Sequence, residues 1–156
     1  MKYISILAVL LIASLALPVF AQQEKPADNM AIVREAIRAE KKVLIADNMQ
    51  LTEAEATAFW PVYEEYQNAM KPLVDRAVKM IQDYAANYET MTDEAAGALL
   101  KEYMGIQKEQ VKIKETYLPK FQKVLPMKKV ARYYQIENKV RAVVDYDLAD
   151  QIPLVK

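Results

Sequence analysis

Two stretches of this chain repeat apolar residues at alternating intervals of three and four. The first runs Phe59, Tyr63, Tyr66, Met70, Leu73, Ala77, Met80, Tyr84, Tyr88. The second runs Leu99, Tyr103, Ile106, Gln110, Ile113, Tyr117, Phe121. A mean interval near 3.5 lines up side chains on one face of an α-helix, whereas a strand would alternate by two. The two seams have similar lengths and a short polar link at residues 89–92, so the helices should lie antiparallel as a hairpin. Folding about residue 90 sets Phe59 opposite Phe121, Tyr63 opposite Tyr117 and Pro61 opposite Pro119. Pro61, Pro72 and Pro119 each remove one backbone donor. Because the seams continue past them, they predict kinks rather than ends.

The helix ends are marked by capping chemistry. Thr52 stands three residues before Glu55, the spacing of a capping box, and acids fill the first turn. Thr92, followed by Asp93 and Glu94, opens the second arm in the same way. Ahead of the hairpin, Asp28 is a candidate N-cap for a lead-in helix with Met30, Val33, Ile37 and Leu44 as its stripe. That helix should end near Asp47–Asn48, with Asn48 as a left-handed stop. After the hairpin, Leu125–Pro126 opens a last helix with Val130, Tyr133, Val140, Val144 and Leu148 on one side. It should end near Asp150, with Ile152-Pro153-Leu154 packing back on the body. The fold class is all-α: four helices built on a long, kinked antiparallel hairpin. So thin a hairpin cannot bury all its aromatics alone. It must curve around the other helices or form a homodimer.

The amino terminus reads as an export signal. Met1-Lys2-Tyr3 supplies the positive start, Ile4–Leu17 an apolar run, Pro18 a break, and Val19 and Ala21 the small residues of a cleavage site. Cleavage is expected after Ala21, leaving residues 22–156 as a single all-helical domain. The run is shorter than the ~20 residues of a membrane helix, so no span is expected after cleavage.

Composition limits the chemistry. Histidine and cysteine are both absent, which removes the commonest general base, the commonest metal ligand, thiolates and disulfides. The only glycines are Gly97 and Gly105, too few and too far apart for a phosphate-cradling loop. The acid pairs Glu64–Glu65, Asp93–Glu94 and Asp145/Asp147 have the look of solvated helix charge. No catalysis, metal or cofactor is expected. Residues 22–100 carry 8 basic and 14 acidic side chains, and residues 101–156 carry 12 and 7. That asymmetry reads first as attraction between helices folding back on one another.

Two groups of residues are candidates for binding. Phe59, Trp60, Tyr63, Tyr117 and Phe121 either staple the open end of the hairpin or present an apolar surface. Lys120, Lys123, Lys128, Lys129 and Arg132 fall in an acid-free run with Phe121, Tyr133 and Tyr134 interleaved. Export and near-neutral charge argue against nucleic acid. Acidic polypeptide or anionic headgroups fit better.

Leu51-Thr52-Glu53-Ala54-Glu55 and Leu125-Pro126-Met127-Lys128-Lys129 both start helices, and aromatics follow each by five to nine residues. In these segments the chain resembles the Spy/CpxP-type periplasmic proteins, marked by a twice-occurring LTxxQ motif on a small helical hairpin fold. The first copy keeps Leu51 and Thr52 and has Glu55 for Gln. The second keeps Leu125, with Pro126 for Thr and Lys129 for Gln. The resemblance implies a periplasmic stress-response protein, a dimeric cradle for unfolded polypeptide or for a signalling partner. The family's metal-responsive branch depends on His ligands, which are absent here. Three readings follow: an ATP-independent chaperone that binds non-native polypeptide, a regulatory adaptor for one envelope sensor or partner protein, or a passive helical envelope protein.

Overall fold

The computed structural model describes residues 26–156, with side chains from residue 37 onward. The expected export signal and cleavage site lie outside the described residues, as do the side chains of Met30 and Val33; Asp28, expected as an N-cap, lies inside α1, which begins at Pro26. Four helices follow in order: α1 Pro26–Met49, α2 Glu53–Asn87, α3 Asp93–Val124 and α4 Met127–Gln151. A single 3-10 turn, Tyr88–Thr90, joins α2 to α3. The described residues contain no strand. Two compact units divide at residue 40. The described part of the first is the opening of α1. The second, Lys41–Lys156, contains the rest of α1 and the other three helices.

The caps act where the sequence puts them. Thr52 and Glu55 form a full capping box, and the Thr92 hydroxyl accepts the Ala95 N–H at 3.2 Å. The end of α1 departs from expectation. The left-handed residue is Gln50, at φ 49°, not Asn48, whose amide instead donates to the Leu44 carbonyl at 2.8 Å. A left-handed non-glycine costs about 1 kcal/mol. Helix α4 helps to hold it there. Lys129 donates to the Gln50 carbonyl at 3.1 Å and Arg132 to its side-chain oxygen at 3.4 Å.

Helix α2 runs on through Pro61 and Pro72, and α3 through Pro119. All three prolines are exposed, as are Thr57, Asn68 and Glu115 one turn earlier, so the carbonyls facing each ring stand where water can serve them. The two arms run antiparallel. Phe59 meets Phe121 at 5.8 Å between ring centroids, as expected, but Tyr117 meets Tyr66 at 5.5 Å where the fold about residue 90 set it opposite Tyr63. Nearer the turn, Arg76 donates to Glu102 at 2.7 Å and to Glu109 at 2.7 Å.

The core is lopsided. Ile45 and Met49 of α1, Phe59, Tyr63 and Tyr66 of α2, Phe121 at the end of α3, Leu125, and Val130 and Tyr133 of α4 form one buried cluster. It occupies the open end of the hairpin, where four helices meet. Toward the turn only Leu73 and Ile106 are buried. The stripe of α4 behaves accordingly. Val130 and Tyr133 are buried, but Val144 and Leu148, read as inward residues, are 39% and 37% exposed. Of the tail, Ile152 is half-buried and Leu154 stands in solvent.

Candidate functional site

The fold brings together the starts of α2 and α4, residues 51–55 and 125–129. Glu55 accepts the Thr52 N–H at 2.8 Å, and its carboxylate also pairs with the Lys129 ammonium. Each of these residues is fifth in its segment, Leu51–Glu55 or Leu125–Lys129, and the two face each other as charge complements. The Lys129 hydrogen bond, with the Thr52 N–H second, holds the Glu55 carboxyl below its ordinary value of 4.5. A carboxyl depressed in the folded state adds stability above its unfolded value, and that stability is lost as pH falls through the folded one. Glu55→Gln should therefore lower stability at neutral pH and flatten its decline below about pH 4.5, measured by urea unfolding across a pH series. An unchanged acid limb would refute the assignment.

The aromatic candidates divide. Phe59, Tyr63 and Phe121 have no exposed surface, which corrects the expectation that they present a binding face. Their rings lie against Tyr133: Phe121 at 4.7 Å, Phe59 at 5.3 Å and Tyr63 at 6.2 Å. Edge-to-face packing of this kind fills the space between helices with rigid rings. Trp60 is half-buried at the margin. It packs on Phe59 and Tyr63, with the Lys42 ammonium 5.1 Å from its ring centroid. Tyr117 donates to the Glu65 carbonyl at 3.2 Å. Tyr134 donates to the Lys114 carbonyl at 3.0 Å, and burial pushes its hydroxyl up to about 12.

The basic run is thinner than its sequence suggests. Lys120 pairs with Glu65 at 2.9 Å and Lys129 with Glu55. Lys123, Lys128 and Arg132 remain exposed, without an ion-pair partner among the described residues. Met127, 57% exposed, stands beside them at the start of α4. The exposed face of that helix continues through Gln135, Lys139 and Ala142 to Val143 and Tyr146, so cations at one end give way to apolar groups at the other. Contacts of Lys114 with Asn138 and of Arg141 with Gln107 set the register between α3 and α4. That register brings Leu100, Tyr103 and Met104 level with Val144–Leu148, and all of the large apolar residues among them are at least 37% exposed.

Sequence reasoning missed one cluster. Lys41 of α1 donates to Glu137 of α4 at 2.8 Å and to Gln67 of α2 at 3.1 Å. Gln67 in turn donates to Glu137 at 3.2 Å and to the Tyr133 hydroxyl at 3.4 Å. Glu137 is buried, and so is Tyr133, whose hydroxyl is raised far above its usual range, first by burial and then by the nearby carboxylate. The signal was present as a gap. The α4 stripe passes from Tyr133 to Val140, and the residue that belongs between them is Glu137.

Among the described residues, no group of acids is placed to hold a metal ion, and no helix is long and apolar enough to cross a membrane. No protein-family model, curated protein or solved structure matches the chain.

Proposed function

We propose that this is an exported, periplasmic protein that binds non-native polypeptide without nucleotide, in the manner of the Spy/CpxP-type helical hairpins. The observation that carries the reading is the exposed face of α4, with Lys128, Arg132 and Lys139 leading to Val143 and Tyr146. Exposed apolar groups in contiguous patches mark binding surfaces, and adjacent cations draw in acidic segments and orient them. The α3 residue Met104, 58% exposed, extends the apolar end. Met side chains adapt to varied partners. Two further features support the family likeness: the motif copies begin α2 and α4, and their fifth residues pair. The export signal expected in residues 1–21 from the sequence supports the compartment.

The test is light scattering from two unrelated denatured proteins, one acidic and one basic, without nucleotide. Wild type should suppress aggregation of both. Lys128→Glu/Arg132→Glu should lose suppression of the acidic client, and Tyr146→Ser/Met104→Ser should lose it for both, with helicity unchanged in each variant. The electrostatic part should fade between 0.15 M and 1 M salt, as the screening length falls from about 8 Å to about 3 Å. Suppression of neither client by wild type overturns the reading.

A further inference from the structure

At the turn end of the hairpin, away from the aromatic core, the two arms leave an apolar groove. Met80, Ile81 and Tyr84 form one wall, and Leu99, Leu100 and Tyr103 the other. The chain's own tail lies across it. Helix α4 ends at Gln151, and the backbone turns extended at Ile152. Ile152 and Val155 face the groove, the Tyr84 hydroxyl donates to the Pro153 carbonyl at 2.6 Å, and Lys156 pairs with Glu89 while lying 5.0 Å from the Tyr88 ring centroid.

The fit is poor for a permanent cover. The tail and the two arms together line a half-open hollow of about 260 Å³, so the tail fills the groove only in part. Leu154 is 88% exposed, Val155 54%, and the ion pair at the end lies in solvent. Exposed ion pairs contribute little, and apolar side chains left in solvent forgo most of the gain from burial. We infer that the tail is a displaceable occupant of a peptide-binding groove, and that the groove takes an extended apolar segment of another polypeptide with a basic residue at its end.

The tail shows what the groove recognises. Apolar side chains three residues apart enter it, a main-chain carbonyl between them accepts from Tyr84, and a cation follows. Glu89, Asp93 and Glu94 are all exposed around the turn and favour that cation. Larger side chains than Ile152 and Val155 would fill the remaining hollow, so an incoming segment can outcompete the tail. This inference rests on the polypeptide-binding reading and locates one of its contacts.

The probe is a fluorescein-labelled peptide with the sequence of residues 150–156, followed by anisotropy. The proteins are the full chain, the full chain carrying Ile152→Asp/Val155→Asp to release the tail, and that variant with Leu100→Asp added. Leu100 is 59% exposed, so the last change should leave the fold intact, checked by circular dichroism. The released variant should bind more tightly than wild type by the inverse of the fraction of time the tail leaves the groove open, about tenfold for a tail that occupies it nine tenths of the time. Leu100→Asp should remove the gain. Equal affinity for wild type and released chain overturns the inference, as does no binding to either. Aggregation suppression measured on the same proteins separates the two claims. Suppression without peptide binding overturns the groove alone. Peptide capture without suppression supports the groove and overturns the broader reading.

Discussion

Phe121→Ala should cost about 4 kcal/mol, the upper part of the range for truncating a buried aromatic. Phe121 has no exposed surface and touches the rings of Phe59, Tyr66, Tyr133 and Tyr134, so its removal takes contacts from α2 and α4 at once. Those neighbours are rigid rings that cannot collapse into the space, and the cost of a cavity rises with the volume left unfilled. Against a total stability of roughly 5–15 kcal/mol, that is a large share. Urea unfolding monitored by helicity measures it. Tyr146→Ala is the control. At 74% exposed, it should change stability by less than about 0.5 kcal/mol. A loss below about 2 kcal/mol for Phe121→Ala would mean that the aromatic cluster is loosely packed.

Lys41→Met should cost about 3 kcal/mol, because it strands Glu137 in the core without its ammonium partner. Gln67 would still donate to that carboxylate, but a neutral amide cannot replace the charge. Converting both partners, Lys41→Met with Glu137→Leu, should bring stability back to within about 1 kcal/mol of wild type, since buried ion pairs gain little over well-packed apolar residues. The double-mutant cycle, by urea unfolding, gives the coupling directly. Additive losses would show that the two groups act independently. The pair's structural effect is to tie α1 to α4 at one level, with Gln67 as the bridge from α2.

Much of the local architecture was legible. The seam intervals marked α2 and α3, Thr52 and Thr92 marked their starts, and folding about residue 90 placed Phe59 on Phe121. The candidate site was legible only in part. Phe59, Tyr63 and Phe121 carried the same periodic signal as an exposed face would. A seam says that residues share a side, not whether another helix covers that side. At the open end, α1 and α4 do cover it. Toward the turn nothing comparable does, and Leu100 and Tyr103 remain exposed. The run of cations misled for a related reason. Lys120 and Lys129 have partners more than fifty residues away in sequence, Glu65 and Glu55. Long charged side chains choose partners by proximity in space, and a composition window cannot see them.

The sequence by itself determined the all-α class, the helices, the N-caps of α2 and α3, the tight turn and the antiparallel course of its two arms. Each depends on hydrogen bonding within a few residues or on a period imposed by backbone geometry. Only the tertiary structure decided which half of each seam is core, why Glu137 sits in an apolar stripe, and that Glu55 and Lys129 complete one another. It also decided that the tail lies over the groove. Burial and charge pairing depend on which distant segment arrives at a surface, and that is a property of the packed helices together.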